Sequence, residues 1–214
     1  TVNTQAQRRL GSVGQLVPGV EVKIAADKEI LVRGPNICAG YWQDEAATRE
    51  LIDGEGFLHT GDLGFVDAHG FLFITGRRKE MLVTAGGKNI WPAVLENAMN
   101  NDALVAQSMV LANGRPYAAA LVVPVWEALL KEAQVRGWPR EKARLIAHPG
   151  VRALYQERIA KALADRPDYE QVRRLVLLAD DFSADRDEVT PTQKLRCSVI
   201  ERHYAKEIED LYRP

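Results

Sequence analysis

The sequence predicts an α+β protein in two parts, a small antiparallel β-rich piece over residues 1–76 and an α+β domain over residues 77–214. Short apolar runs separated by glycines dominate the first part, which favours a small sheet or a partial barrel. After Gly76 the runs become longer and take helical spacing. We expect a hinge at residues 76–80, because a short junction between two packed units can absorb a rotation.

The first part contains five short apolar or β-branched runs that we predict to be strands: Val20–Ile24, Glu29–Val32, Phe57–His59, Gly64–Val66 and Phe71–Ile74. The tetrapeptide 67–70, Asp-Ala-His-Gly, is typical of a hairpin turn between the last two. One helix should interrupt the strands over Glu45–Ile52, with Asp44 as its N-cap.

The second part alternates predicted strands with predicted helices. Pro92 suits the first turn of a helix that ends near Met99. Apolar residues recur at helical spacing from Val151 to Leu163, which predicts a helix with one face in the core. A last helix should begin near Gln193. The predicted strands are Met81–Val83, Ala106–Leu111, Ala118–Val123 and Val172–Leu178.

Bulk composition excludes several classes of protein. Twenty-eight basic residues oppose 29 acidic ones, for a net charge of -1, so there is no general reason to bind nucleic acid. No run approaches the roughly 20 apolar residues that span a bilayer. Cys38 and Cys197 are far apart, which favours free thiols in a reducing, cytoplasmic compartment. The four histidines are isolated, and we expect no metal site in this chain.

The first candidate site is residues 59–63, His-Thr-Gly-Asp-Leu. Asp62 follows a glycine between two predicted strands. An ionised aspartate only accepts hydrogen bonds, which suits the vicinal hydroxyls of a ribose. The alternative is an ordinary turn-forming Gly-Asp pair.

The second candidate site joins residues 74–80, which contain Gly-Arg-Arg-Lys-Glu, to the glycine loop at residues 83–92. Gly86 and Gly87 would let a ligand approach the backbone closely. The loop leads into the N-terminus of the helix predicted at Pro92, where backbone N–H groups favour anions. The spacing of a P-loop is absent. A flexible strand-to-helix connection is the alternative.

The third candidate site is residues 190–196, Thr-Pro-Thr-Gln-Lys-Leu-Arg. Thr192 is a plausible N-cap, which would place Lys194 in the first turn of the last helix. A lysine there is unfavourable beside the positive end of the helix dipole unless an anion binds next to it. The alternative is an ordinary surface lysine.

Five stretches follow one another along the chain: Leu31–Asn36 with Gly40–Trp42, Thr60–Gly64, Gly76–Glu80, Gly86–Ile90 with Pro92 and Glu96, and Pro191–Arg196. Taken together and in this order, they resemble the adenylate-forming superfamily of acyl-CoA synthetases, luciferases and peptide-synthetase adenylation domains. The resemblance is strongest to the long-chain fatty acyl-CoA synthetases, and it covers essentially the whole chain. Most members have a glycine before the catalytic lysine, where this chain has Gln193, and the long-chain branch often lacks that glycine.

The resemblance implies a ligase that works in two half-reactions, with ATP, a fatty acid and coenzyme A as substrates. ATP and the carboxylate first give an acyl-adenylate and pyrophosphate, and CoA then displaces AMP to form a thioester. Asp62 would hold the ribose hydroxyls of ATP with help from Arg77. Lys194 would contact the carboxylate and the α-phosphate during adenylation.

The resemblance also implies that residues 77–214 form a C-terminal lid domain that rotates between the two half-reactions about Lys79. Gly86 and Gly87 would line the path of the CoA pantetheine, where a side chain would obstruct the thiol. The family's phosphate loop, its glutamate that serves Mg²⁺ and its acyl tunnel have no counterpart here, and we expect all of them upstream, in an N-terminal domain.

We therefore expect a C-terminal fragment that is inactive alone, with an incomplete β-rich subdomain whose exposed apolar surface favours dimers. Because the family's substrates are fatty acids, peripheral contact with a membrane is a further alternative. Two other functions also stay open: a ligase that loads a carrier protein or makes another acyl-adenylate, and a binding module without catalysis. The joint presence of Asp62, Lys79 and Lys194 argues against the binding module.

Overall fold

The computed structural model describes residues 1–213, which form two compact units, Thr1–Met81 and a second unit from Leu82 onwards. We call them the N-terminal unit and the C-terminal unit. The sequence places the boundary after Gly76, so the residues of the predicted hinge group with the N-terminal unit. The assignment of the two units as functional domains stays a prediction.

Ten strands and seven α-helices make up the described chain. The strands are β1 (Gly14–Gln15), β2 (Glu21–Ile24), β3 (Glu29–Arg33), β4 (Leu58–Val66), β5 (Phe71–Arg77), β6 (Leu82–Val83), β7 (Asn89–Ile90), β8 (Val105–Leu111), β9 (Ala118–Pro124) and β10 (Val172–Leu177). The helices are α1 (Glu45–Leu51), α2 (Pro92–Asn100), α3 (Trp126–Arg136), α4 (Lys142–Ala147), α5 (Pro149–Ala162), α6 (Cys197–His203) and α7 (Ala205–Tyr212).

The N-terminal unit is an open five-stranded antiparallel sheet in the order β1-β5-β4-β3-β2. This confirms the predicted antiparallel β-rich piece, and the sheet does not close into a barrel. The predicted hairpin turn is present, because the Asp67 carboxylate accepts the backbone N–H groups of His69 and Phe71 at 2.8 and 3.0 Å. Asp44 caps α1 as predicted, by accepting the N–H of Ala47 at 2.9 Å.

The two strands predicted at Phe57–His59 and Gly64–Val66 are wrong as separate elements, since β4 runs unbroken from Leu58 to Val66. The glycines mark an irregularity of pairing, not a break, because the register of β4 against β5 shifts between Leu63 and Gly64. A Cβ at Gly64 would clash with the carbonyl oxygen of Phe73. Asp62 therefore lies within a strand, beside this irregularity.

The C-terminal unit is built on a three-stranded sheet, β10-β9-β8, that carries helices on both faces. β8 and β9 are antiparallel, whereas β9 and β10 are parallel and are joined by the crossover through α3, α4 and α5. Alternate residues of β9 enter different cores: Ala120 and Val122 pack with α2 to α5, and Leu121 and Val123 pack with α6 and α7. Burial on both faces explains why β9 is a continuous apolar run.

The helix predicted to begin near Gln193 is wrong at its start, because α6 begins at Cys197. Thr192 is not an N-cap, and Lys194 does not lie in a helical turn. Residues 190–194 form a tight turn instead. Lys194 therefore does not lie at the positive end of a helix dipole.

Several large apolar side chains of the N-terminal unit are exposed, including Trp42 at 89% and Phe65 at 48%. Association of two copies through such side chains stays a prediction. Among the helices of residues 1–213, none combines the length and the apolar character needed to cross a bilayer.

Candidate active site

Asp62 and Arg77 are partners across β4 and β5, and their side chains form an ion pair. Arg77 Nε donates to Asp62 Oδ1 at 3.0 Å. The Asp62 backbone is held in turn, since its N–H donates to Thr60 Oγ1 at 3.0 Å and that hydroxyl donates to the Ile30 carbonyl at 2.7 Å. The pair therefore presents a partly exposed carboxylate beside an exposed guanidinium, as a site for vicinal hydroxyls requires.

Sequence reasoning missed Glu29, a buried carboxylate behind this pair, 3% exposed. Its Oε1 accepts the backbone N–H of Gly61 at 3.0 Å, and its Oε2 lies 2.9 Å from His59 Nδ1. Arg78 Nη1 donates to the same Oε2 at 3.1 Å. Glu29 thus links the segment that carries Asp62 to the arginine that follows Arg77.

The predicted hinge falls at a short 3-10 turn over Arg78–Glu80, directly after β5. Arg78 is anchored within the N-terminal unit by Glu29 and by Asp27, whose Oδ2 lies 2.9 Å from Arg78 Nη2. Lys79 is exposed, and within residues 1–213 its ammonium forms no ion pair. Arg78 is therefore held by ion pairs to the N-terminal unit, whereas Lys79, the next residue, is not.

Gly86 and Gly87 lie at the tip of the loop that joins the short strands β6 and β7. The loop is closed at its base, because Thr84 N–H donates to the Lys88 carbonyl at 2.9 Å and Thr84 Oγ1 accepts the Lys88 N–H at 3.0 Å. Gly87 has a φ of +72°, in the left-handed region that favours glycine. At Gly86 an added Cβ would meet only Thr84 Oγ1, at 4.0 Å, so packing within the chain does not require a glycine there.

A second turn supports this glycine loop from the side. The N–H of Ala85 donates to the Arg115 carbonyl at 2.9 Å, and the N–H of Gly114 donates to the Val83 carbonyl at 2.7 Å. Arg115 is itself tied to α7 by an ion pair with Glu209 at 2.7 Å. The loop is therefore part of the folded C-terminal unit rather than a free connection.

Lys194 is exposed at the end of the turn over residues 190–194. Thr190 N–H donates to the Lys194 carbonyl at 2.8 Å, and Lys194 N–H donates to Thr190 Oγ1 at 3.0 Å. Val189 and Leu195 pair as an isolated bridge at the base of the turn. Within the described chain the Lys194 ammonium forms no ion pair, so its charge stays available to an anion.

Gln193 explains the geometry of this turn, because its φ is +61°. A side chain in the left-handed region costs roughly 1–2 kcal/mol, and a β-branched residue there is a true outlier. A glycine at this position would adopt this φ without strain.

We expect the free energy of unfolding of the Gln193→Val variant to be about 1–2 kcal/mol lower than that of the Gln193→Gly variant, because only valine is strained at positive φ. Urea unfolding of the 214-residue chain measures the difference. The matched pair Gln5→Val and Gln5→Gly, at an exposed position where φ is not positive, should show a much smaller difference. Equal stability of the two Gln193 variants would show that the turn does not hold this conformation in solution.

Glu188 is a second buried carboxylate that sequence reasoning missed, 0% exposed. Its Oε2 accepts the Ser183 N–H at 3.2 Å and Arg186 Nε at 3.0 Å, and its Oε1 lies 3.0 Å from His203 Nδ1. Burial acts to raise the pKa of Glu188, but the hydrogen bonds from His203, Arg186 and Ser183 outweigh it and the pKa lies below its ordinary value. No periodicity or motif marked either Glu188 or Glu29.

The predicted site residues therefore fall into separate groups. Asp62 and Arg77 are in contact in the N-terminal unit. Gly86 and Gly87 share the loop between β6 and β7, and Lys194 lies on the turn before α6, both in the C-terminal unit. Cys38 and Cys197 are both exposed, and among residues 1–213 no cluster of three or more His, Cys, Asp or Glu side chains could hold a metal ion.

A family model described as the AMP-binding enzyme C-terminal domain matches residues 79–214. Among curated proteins, the chain is 38% identical over 212 residues to Long-chain-fatty-acid–CoA ligase FadD15 of Mycobacterium tuberculosis, covering 95% of this chain and 34% of that protein. It is 33% identical over 230 residues to Long-chain-fatty-acid–CoA ligase ACSBG1 of Mus musculus, covering 95% of this chain and 32% of that protein. The chain thus spans about a third of the length of these relatives.

Solved structures share the fold. The adenylation domain of a carboxylate reductase from Mycobacterium chelonae superposes with a TM-score of 0.69 at 22% identity, over 96% of this chain and 34% of that one. MatB from Rhodopseudomonas palustris superposes with a TM-score of 0.64 at 22% identity, over 99% of this chain and 38% of that one. At such identity the likeness concerns the fold alone. It confirms the predicted α+β fold class.

Proposed function

This chain belongs to the family of AMP-binding enzyme C-terminal domains, and from that premise we propose that it is the C-terminal part of a long-chain fatty acid–CoA ligase. The reaction would be an AMP-forming acid–thiol ligation in two half-reactions, with a fatty acid, ATP and CoA as substrates. An N-terminal domain of the same polypeptide would supply the acyl tunnel and the phosphate loop. Similarity to two long-chain ligases over 95% of the chain supports the choice of substrate class.

The observation that carries the proposal is the hydrogen-bonded turn that presents Lys194, inside the segment that the family model matches. The Lys194 backbone is held by Thr190, and the exposed ammonium forms no ion pair within residues 1–213. An exposed side chain without a contact keeps its rotamer freedom, so no partner within the described chain competes with a substrate for this ammonium. A lysine that must meet the charge of a substrate has to be free before the substrate arrives.

In the first half-reaction a carboxylate oxygen of the fatty acid attacks the α-phosphorus of ATP. The bond from that phosphorus to the bridging oxygen breaks, and pyrophosphate leaves. We propose that Asp62 accepts hydrogen bonds from the two ribose hydroxyls while Arg77 holds its carboxylate in place. The Lys194 ammonium would offset the negative charge that gathers around the α-phosphate, which is the kind of interaction that most lowers a barrier.

In the second half-reaction the CoA sulfur attacks the acyl carbon, the carbon–oxygen bond to AMP breaks, and the thiol proton is released. We propose that residues from Lys79 onwards rotate between the steps, with Lys79 as the pivot. The ion pairs of Arg78 with Asp27 and Glu29 support a pivot that begins immediately after that residue. Gly86 and Gly87 would then line the path of the pantetheine.

Magnesium is expected as the counter-ion of ATP in such a ligase. The described residues 1–213 contain no cluster of ligating side chains suited to a metal ion. The carboxylates of the candidate site do not fit one either, since Asp62 pairs with Arg77 and Glu29 with Arg78. No proposed step therefore uses a metal held by this chain.

We expect a longer protein that contains this chain to convert a long-chain fatty acid, ATP and CoA into acyl-CoA, AMP and pyrophosphate. Mass spectrometry of the products, with hydroxylamine trapping of the intermediate, measures both half-reactions. A parallel reaction with a carrier protein in place of CoA tests the acceptor. Acyl-adenylate that passes only to the carrier protein would favour the carrier-loading ligase, and acyl-CoA binding without AMP formation would favour a binding module.

A further inference from the structure

We propose that Glu188 is a positioning residue that fixes the turn carrying Lys194 in the orientation that adenylation requires. This inference rests on the proposed function and adds a residue to its first half-reaction. Burying a carboxylate is costly unless its charge is paired and hydrogen-bonded, and the contacts of Glu188 supply that pairing.

Glu188 joins two segments of the C-terminal unit, the loop that follows β10 and helix α6. Ser183 and Arg186 bind it from the loop that follows β10, and His203 reaches it from the last turn of α6. Its backbone takes part as well, because Glu188 N–H donates to the Ser183 carbonyl at 3.0 Å. Both carboxylate oxygens of Glu188 therefore contact residues that precede or follow the turn over residues 190–194.

The path from Glu188 to Lys194 runs through the backbone. The Glu188 carbonyl accepts the N–H of Arg196 at 2.8 Å, which closes the base of the turn. The adjacent bridge between Val189 and Leu195 forms the next rung. The hydrogen bonds between Thr190 and Lys194 form the last rung, directly under the lysine side chain.

Charge, rather than packing, is what this position supplies. Val189 already anchors the turn in the core between the sheet and α6 and α7. Arg186 and His203 are partly exposed, with side chains 36% and 44% accessible, so water reaches the guanidinium and the imidazole but not the carboxylate. Removing the carboxylate would release both side chains and the Ser183 N–H at once and would loosen the base of the turn.

A double-mutant cycle tests the proposal on the longer protein that contains this chain, with fatty-acid-dependent adenylate formation and thioester formation from supplied acyl-adenylate measured separately. Because misplacement of a catalytic group by about 1 Å can cost on the order of a hundredfold, we expect Glu188→Gln to slow adenylation roughly ten- to a hundredfold. Thioester formation should stay within about twofold, since Lys194 acts only in the first step. In a Lys194→Ala background the same change should cost nothing further.

Two controls separate positioning from folding. Glu170→Gln removes another buried carboxylate of the same unit, 8% exposed, and should leave both steps unchanged. If circular dichroism shows that the Glu188→Gln variant does not fold, the milder His203 variants test the proposal instead. His203→Ala should show the selective loss, and His203→Asn should restore activity because its amide can donate to Glu188 Oε1.

Equal losses in both half-reactions, or a loss that persists in the Lys194→Ala background, would overturn the proposal. So would an active wild type whose Glu188 and His203 variants are unaffected. A wild type that forms no acyl-adenylate would overturn the proposed function and this inference together.

Discussion

Lys194→Ala is expected to abolish most of the acyl-adenylate formation by the full ligase while leaving thioester formation from supplied adenylate nearly intact. Removing one preorganised group that stabilises charge in a transition state typically costs about 10²–10³ in rate. Lys194 is exposed and unpaired within residues 1–213, so its loss should not disturb folding. Trapping with hydroxylamine measures the first step, and a thioester assay measures the second.

Lys206→Ala is the matched control for Lys194→Ala. Lys206 is also an exposed lysine of the C-terminal unit, on α7, and its ammonium forms no ion pair in the described chain. Both half-reactions should proceed unchanged in this variant. If Lys194→Ala leaves both steps untouched as well, the lysine has been assigned wrongly, and the synthetase mechanism would rest on Asp62 and the hinge alone.

Gly86→Leu is expected to show the opposite selectivity, with thioester formation reduced by about a hundredfold and adenylation retained. A side chain in the path of the pantetheine would displace the thiol from the acyl carbon, and a misplacement of about 1 Å can cost on the order of 10²-fold. The fold accepts a Cβ at Gly86, since that atom would meet only Thr84 Oγ1 at 4.0 Å. A kinetic loss with an unchanged free energy of unfolding would therefore report obstruction of a ligand and not misfolding.

Gly54→Leu provides the comparison for Gly86→Leu. Gly54 is exposed, has no atom within 4 Å of an added Cβ, and lies in the N-terminal unit. It should have no effect on either step. Thioester formation that survives Gly86→Leu at the wild-type rate would remove the glycine loop from the proposed CoA path, while leaving the roles of Asp62 and Lys194 standing.

The sequence alone predicted the elements whose signals are local. Alternating and continuous apolar runs predicted β2, β3, β5, β8, β9 and β10, and capping chemistry predicted the starts of α1 at Asp44 and of α2 at Pro92. Such signals lie within about one turn of a helix or one face of a strand, so they can be read without knowledge of the fold. Motif order likewise predicted the family and the candidate residues Asp62, Gly86 and Lys194.

The tertiary structure alone decided the contacts that reach across the chain. Glu29 meets His59 and Arg78 over 30 and 49 residues, and a buried carboxylate acquires such partners only when distant strands come together. The unbroken course of β4 was hidden for the same reason, because its pairing with β3 and β5 overrides the local preference of its glycines. The sequence thus determined which groups are available for chemistry, and only the fold determined which buried charges hold them in place.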